Sequence, residues 1–472
     1  MYTKKINFLL NNHYLYLFVL FILWYWFLGQ KFINEPFIWD DLHLIRTYSI
    51  DELMSVWSGS WDPDGIETPS FRPMATLFYH TQGTIFGEDV QNQKIFLFLL
   101  FYLLFILIIK LLNKLNFDKI EIFLISALLI FSKIFTTLTS WMTMSHLIFC
   151  YILLFLCLIN YLNWLEKNKI INIFFAILFG IGSILTREEV YFIPALIFLI
   201  GLYFSKFSKK NIIRIFFISF FFFILVVIHY YLRSIFTEGA PQIVFGGFRS
   251  FLSHLLQSGI TSGWFSFMTK ITVLQFAWLS LIFFVSLILL VNISKISLID
   301  IKKIFILLLI SLTTSTPSLI SSRAFGIFIP SIFSLALIVK IFFIYKNNSK
   351  FFFNKSFLSK ISNIIIILLI IFGISAGYIR SDEHLKAMNK YSIYIVAYDT
   401  RVIFHKSHVE KSSVPEIRKK QKKLFLENLG ITEFISLEEI KEKIYKNEIS
   451  SKIYIPNFHP LSPNYYPLFL AK

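Results

Sequence analysis

The chain has 472 residues, of which 56% are hydrophobic, 19% are aromatic and only 15% are charged. This composition excludes an ordinary soluble domain and predicts an all-α polytopic membrane protein. The formal net charge of +17 suggests nucleic acid as a partner. However, the basic residues lie between apolar segments, where they set the orientation of membrane helices. We therefore expect no nucleic-acid partner.

Apolar segments recur along the chain, and a helix needs about 20 mainly apolar residues to cross a bilayer. The first segment ends in the aromatic run 24–27 and lacks a small-residue cleavage site, so we interpret it as a membrane helix and not a signal peptide. We predict about eleven spans, at residues 12–29, 94–112, 120–138, 145–163, 170–185, 189–205, 214–232, 271–293, 303–317, 324–345 and 361–379.

Lysine clusters predict the orientation of these spans. If the N-terminus is cytoplasmic, the lysine-rich loops all fall on the cytoplasmic side, as the positive-inside bias requires. The other side receives loop 30–93, with ten acids and three bases, and the C-terminal residues 380–472. We therefore expect a multi-pass protein of a bacterial inner (cytoplasmic) membrane, with its active site and C-terminus outside.

Loop 30–93 is too long for a simple turn and is predicted to hold two amphipathic helices at the outer membrane surface. Ser49 and Glu52 have the spacing of a capping box, which marks the start of the first helix. Apolar residues at helical spacing over 73–86 indicate the second.

The chain divides by composition into a transmembrane domain, 1–379, and a small extracytoplasmic domain, 380–472; the candidate catalytic residues named below all lie in the first. Apolar and polar residues alternate over 391–398, which predicts a strand. Residues 416–429 and 437–447 follow as helix candidates. We interpret this region as a soluble α/β unit.

An adjacent acid pair, Asp40 and Asp41, follows the first span. Acids at a membrane boundary are costly unless they are solvated or paired, so the pair is a candidate catalytic site. The alternative is a pair of ordinary loop carboxylates. If a divalent metal such as Mg or Mn binds, these two acids are its candidate ligands. Two acids alone, however, offer fewer oxygens than a hard cation prefers.

Three arginines lie on the predicted outer side, against the charge bias. Arg72 precedes the second amphipathic helix, Arg187 lies in the turn between the fifth and sixth spans, and Arg323 opens the tenth. Each can bind a lipid phosphate bidentately or simply extend to headgroups. Glu188 and Glu189 follow Arg187, which gives this hairpin more charge than a turn requires.

The histidines show no metal-ligand spacing, and the chain has no glycine-rich phosphate loop, so a soluble nucleotide is not the expected substrate. His80 lies in the second amphipathic-helix candidate. We retain His80 and Glu189 as supporting residues of the site.

Four motifs together resemble the GT-C superfamily of integral-membrane glycosyltransferases, and most closely its protein O-mannosyltransferase-like members, which include the cadherin-directed transmembrane enzymes and bacterial relatives. The resemblance covers about residues 10–345 and rests on Phe37-Ile38-Trp39-Asp40-Asp41, Ser70-Phe71-Arg72-Pro73-Met74, Arg187-Glu188 and the stretch from Arg323 to Ser331. Two features depart from it. Position 187 is Arg where the family often has Lys, and residues 380–472 lack the tetratricopeptide repeats of the cadherin-directed members.

The resemblance implies a hexosyltransferase that takes a sugar from a polyprenyl phosphate in the bilayer. Asp40 or Asp41 would be the general base. Arg72, Arg187 and Arg323 would bind the leaving phosphate. Glu188 would orient an arginine or the acceptor, which is a protein, lipid or surface glycan.

Two other functions remain open. A lipid-linked saccharide flippase or other transporter usually has ionisable groups at mid-membrane and internal repeats, whereas the charges here cluster at the outer face. A surface-polysaccharide ligase or polymerase shares the lipid-linked donor and differs in its acceptor.

Overall fold

The protein is described by a computed structural model. It covers residues 12–27, 29–31, 44–63, 70–87, 89–132, 135, 138–139, 142–205, 209–237, 297–316, 328–347, 393–397, 402–405 and 435–436. Long apolar helices dominate these residues, as the composition predicted for a membrane protein. By length and apolar character, three helices in the described part can cross a bilayer: Gln91–Lys114, Met142–Lys167 and Lys209–Phe236.

Each predicted span that falls on described residues overlaps a helix, because long apolar runs satisfy their backbone hydrogen bonds internally. The predicted spans at 271–293 and 361–379 lie outside the described residues, so the total number of spans remains a prediction. The helices are α1 (His13–Phe27), α2 (Ile50–Ser55), α3 (Pro73–Phe86), α4 (Val90–Lys114), α5 (Lys119–Ile130), α6 (Ser145–Lys167), α7 (Ile170–Thr186), α8 (Ile193–Phe204), α9 (Lys209–Phe236), α10 (Leu298–Thr314) and α11 (Phe328–Asn347).

Both helices predicted within loop 30–93 are present. The capping box starts α2: Ser49 Oγ accepts from the Glu52 N–H at 3.2 Å, and Glu52 Oε2 accepts from the Ser49 N–H at 2.7 Å. Pro73 begins α3. Proline suits this position because the first backbone N–H groups of a helix have no intrahelical acceptor, so its lack of an N–H costs no hydrogen bond. The position of these helices at a membrane surface remains a prediction.

Close packing of α7 against α6 and α9 brings the ends of these helices together. Gly180 on α7 makes this approach possible, because a Cβ there would lie 2.2 Å from the Phe222 ring of α9 and 3.2 Å from Cys157 Sγ of α6. A larger residue at position 180 would push α9 away. Since α7 leads into Arg187, this contact also helps to place α9 beside the turn between α7 and α8.

The loops predicted to be cytoplasmic meet at one end of the helix bundle, opposite the α7–α8 hairpin. This grouping follows from antiparallel packing of consecutive helices; the orientation of the bundle across a membrane remains a prediction. Three contacts join the loops: Lys114 with Glu166 (2.9 Å), Arg214 with Asn168 (2.6 Å) and Lys302 with the Ser205 carbonyl (3.5 Å).

Three short strands occur near the C-terminus: β1 (Ile393–Ala397), β2 (Val402–His405) and β3 (Ile435–Ser436). They form an antiparallel sheet in the order β2-β1-β3, and β1 lies inside the predicted strand 391–398. The helix candidates 416–429 and 437–447 lie outside the described residues. The α/β domain at 380–472, and its separation from 1–379, therefore remain predictions.

Candidate active site: arginines and glutamates at one end of the bundle

Two predicted site residues from distant segments are in direct contact. Arg72 Nε donates to Glu188 Oε2 at 2.6 Å, across 116 positions of sequence. Ser70 Oγ donates to the other carboxylate oxygen, Oε1, at 2.8 Å. The segment before α3 is thereby joined to the α7–α8 hairpin by charge-assisted hydrogen bonds, which are stronger than neutral ones.

The hairpin is tight, and this fixes where its charges lie. Helix α7 ends at Thr186, Arg187 adopts an extended conformation, and a single 3₁₀ turn spans Glu188–Val190. Pro194 in the first turn of α8 favours a fresh helix start. Three consecutive charged residues therefore lie at the end of the bundle.

A second arginine, Arg233 in the last turn of α9, also lies beside Glu188. Its Nε lies 3.3 Å from Glu188 Oε1. The ring of Phe71 anchors this turn, with ring centroids 5.5 Å from His229 and 5.3 Å from Phe236. Arg72 and Arg233 therefore flank one carboxylate.

The surroundings of Glu188 keep it ionised. Burial raises the pKa of this carboxyl, but the charge of Arg72, the hydrogen bond from Ser70 and the charge of Arg233 outweigh burial and lower the pKa to about 2. At neutral pH the two arginines and Glu188 together carry one excess positive charge. Such a cluster attracts an anion and contains no available general base.

Arg72 and Arg233 keep donor capacity for a ligand. Arg72 donates its Nε–H to Glu188, whereas Arg233 Nε only lies near that carboxylate, and each side chain is 14% exposed. Among the described residues, NH1 and NH2 of the two arginines have no hydrogen-bond partner. Trp61 contributes its ring, whose centroid lies 5.1 Å from Arg72 Cζ. This contact orients the guanidinium and occupies none of its terminal donors.

Arg187 forms a separate unit and is only 4% exposed. Its NH2 donates to Glu189 Oε1 at 2.8 Å, and its NH1 contacts His146 Nε2 at 2.6 Å. Because an arginine can only donate, His146 Nε2 must be the acceptor and its proton must lie on Nδ1. That Nδ1 donates to the Thr143 carbonyl at 2.6 Å and also contacts the hydroxyl of Tyr79.

Trp61 links the cluster to α3. Its backbone N–H donates to the Ser70 carbonyl at 2.8 Å, and its own carbonyl accepts from Thr76 Oγ1. The next residue, Asp62, is a carboxylate that is only 1% exposed. Sequence reasoning did not single it out from the acids of loop 30–93.

The other predicted site residues are placed as follows. Asp40, Asp41 and Arg323 lie outside the described residues, so their roles remain predictions. His80 Nδ1 accepts from the Tyr48 N–H at 3.0 Å, and among the described residues His80 does not touch the arginine cluster.

The described residues include no group of three or more His, Cys, Asp or Glu side chains placed to hold a metal ion. The candidate ligands Asp40 and Asp41 lie outside that part of the chain. A divalent metal at these two acids therefore remains a prediction.

Arg233 could have been found from the sequence. It follows the predicted span 214–232 on the outer side, so the charge-bias argument applied to Arg72 and Arg187 applies to it equally. His146 gave no such signal, because a single histidine at the start of an apolar helix is usually a packing residue.

Comparison with protein-family models, curated proteins and solved structures found no match to this chain. Function is therefore argued from the chemistry of the site.

Proposed function

We propose that the protein is a membrane glycosyltransferase of the GT-C type that moves a hexose from a polyprenyl phosphate to an acceptor outside the cytoplasm. The observation that carries this proposal is the Ser70–Arg72–Glu188 contact. It unites two of the motifs on which the family resemblance rests, at the end of the bundle opposite the basic loops.

The cluster suits the charge change of this reaction. An acceptor oxygen attacks the anomeric carbon, the bond from that carbon to the phosphate oxygen breaks, and the acceptor proton passes to a carboxylate. The phosphate leaves with an added negative charge, and a fixed cation stabilises that charge as it develops. Arg72 supplies NH1 and NH2, while its Nε donates to Glu188, which also accepts from Ser70.

The remaining roles follow from the sequence. Asp40 or Asp41 is the proposed base. Glu188 does not suit this role, because it stays ionised by pairing with arginine and its oxygens already accept hydrogen bonds. Arg323 is a further proposed phosphate ligand. The prediction that Arg187 binds phosphate ranks below that for Arg72, because NH1 and NH2 of Arg187 each already have a protein partner.

The test is release of polyprenyl phosphate from a series of polyprenyl-phosphate hexoses by the purified protein. Arg72→Ala should lower release by at least about tenfold. Arg46→Ala is a matched control: Arg46 also pairs with a glutamate, Glu52, at 2.7 Å and lies over an aromatic ring, that of Tyr48, at 4.1 Å. Release that is equal in both variants would count against the proposal, as would a parent protein inactive on every donor.

A lipid-linked saccharide flippase is the second candidate, and one observation favours it. Lys340 Nζ on α11 donates to both carboxylate oxygens of Glu121 on α5, at 3.1 and 3.0 Å, within the packed bundle. Ionisable pairs inside a bundle are typical of transporters. Glu121, however, lies in the first turn of α5 and also accepts from the Asp118 N–H, so its position is explained by capping.

Transbilayer movement of a fluorescent lipid-linked sugar in proteoliposomes, without release of polyprenyl phosphate, would favour the flippase. A surface-polysaccharide ligase or polymerase would release the lipid phosphate as well, and is distinguished by the acceptor that becomes glycosylated.

A further inference from the structure

Arg233 is the one arginine of the cluster that the family resemblance does not include. We infer that Arg233 contacts the anionic group of the ligand directly, as a second guanidinium beside Arg72. This inference rests on the proposed function and adds a ligand-contacting residue to it.

The first step of the argument is the number of donors on Glu188. Its Oε2 accepts from Arg72 Nε at 2.6 Å, and its Oε1 accepts from Ser70 Oγ at 2.8 Å. Arg233 Nε reaches Oε1 only at 3.3 Å and, although buried, makes no hydrogen bond of good geometry among the described residues. Each oxygen of the carboxylate therefore already has a donor without Arg233.

The second step is charge. One carboxylate neutralises one arginine, and a second partly buried arginine against the same carboxylate is costly to desolvate without an anion of its own. Arg233 lies in the last turn of α9, held there by the contact of Phe71 with Phe236. A ligand anion beside Glu188 would supply the missing negative charge.

The third step is geometry. Arg72 gives Glu188 only its Nε–H, and Arg233 makes no hydrogen bond to that carboxylate, so both guanidiniums keep their NH1 and NH2 groups for other acceptors. A phosphate group has several oxygens and can accept from both arginines at once. A single carboxylate or hydroxyl group offers fewer acceptors. The inferred ligand group is therefore a phosphate.

The experiment measures binding of farnesyl phosphate, a short polyprenyl monophosphate, to the purified full-length protein in detergent. Farnesol and phosphatidylglycerol micelles separate the phosphate contribution from the lipid tail and from a general headgroup contact. Arg233→Ala should weaken farnesyl phosphate binding by at least about tenfold, and Arg233→Lys by less. Neither variant should alter the binding of farnesol or of phosphatidylglycerol.

A Glu188→Gln background separates contact from a structural role. If Arg233 acts only by holding Glu188, then Arg233→Ala should have no effect on binding once Glu188 has lost its charge. If Arg233 touches the phosphate, Arg233→Ala should still weaken binding in that background by about fivefold or more. Arg233→Lys keeps a charge near the carboxylate, so the question can be answered even where the alanine variant folds poorly.

Arg214→Ala is the matched control, because Arg214 lies on the same helix at the opposite end and contacts Asn168 and Trp164. It should bind farnesyl phosphate like the parent. No binding by the parent would overturn both this inference and the proposed function. Only the role of Arg233 would be overturned if the parent binds farnesyl phosphate and Arg233→Ala leaves that binding unchanged in the Glu188→Gln background. If Arg233→Ala weakened phosphatidylglycerol binding as much as farnesyl phosphate binding, Arg233 would be only a general contact for lipid headgroups, and the inference would be wrong.

Discussion

Replacement of Arg187 by alanine should destabilise the protein more than any change to an exposed arginine. The Arg187 side chain is almost fully buried, contacts His146 Nε2 on α6 and donates to Glu189 Oε1 within its own hairpin. Its removal leaves a partly buried glutamate and a buried imidazole nitrogen without their donor. Breaking a buried ion pair by removing one partner costs about 3–5 kcal/mol.

The measurement is thermal unfolding of the purified protein in detergent, followed by tryptophan fluorescence. Arg187→Ala should lower the apparent melting temperature by roughly 5 °C or more. Arg214→Ala removes a partly exposed arginine that contacts Asn168 and Trp164 and, among the described residues, has no buried ionic partner, so it should cost no more than about 1 kcal/mol. The double change of Arg187→Ala with Glu189→Gln should cost less than the sum of the single changes, because the stranded carboxylate charge is gone.

Equal melting temperatures for Arg187→Ala and Arg214→Ala would refute this reasoning. Arg187 would then make no net contribution to stability, and this result would favour its predicted role as a phosphate ligand. If Arg187→Ala unfolds early but still binds farnesyl phosphate below its melting temperature, Arg187 supports the site and does not contact the ligand.

Three further predictions concern other charges. The folded-state pKa of Glu188 is about 2, below its ordinary value of 4.5. The ionised Glu188 therefore stabilises the fold above about pH 4.5. This contribution to the free energy of unfolding, on the order of 3 kcal/mol, should be lost as the pH falls towards 2. Glu188→Gln should abolish that loss, which is measured as the pH dependence of the melting temperature. Asp40→Asn or Asp41→Asn should lower turnover at least about a hundredfold with normal membrane insertion; parental rates in both variants would make the pair ordinary loop acids. Glu121→Ala should strand the buried Lys340 and cost about 3–5 kcal/mol, whereas adding Lys340→Met should restore much of the loss in the same melting assay.

The sequence predicted the helices well because their signal is local. A run of apolar residues of the length of α6 has few alternatives to a helix in a membrane protein, and the capping box at Ser49 and Glu52 specifies the start of α2 from a span of four residues. The same local reasoning found the charged hairpin after α7.

Site contacts were harder to predict because they are not local. Nothing between Arg72 and Glu188 indicates that they pair, and the contact depends on how α3, α7 and α9 pack. Arg233 was not singled out, although its position directly after the predicted span 214–232 places it on the predicted outer side. A single histidine at the start of an apolar helix, such as His146, is usually a packing residue, and His146 is indeed buried. Its role as the acceptor for Arg187 follows only from the distance between the two side chains.

Phe71 has a consequence for the order in which the molecule is assembled. Its ring holds the chain beside Arg72 against the last turn of α9, which is made more than 150 residues later in sequence. Contacts so distant in sequence form late, because a long loop must close before they give any stability. A newly inserted chain therefore has its helices before it has the cluster of Arg72, Glu188 and Arg233. Binding at the proposed site would then require the finished bundle, and an apolar change such as Phe71→Ala should delay or weaken it while leaving every charged residue in place.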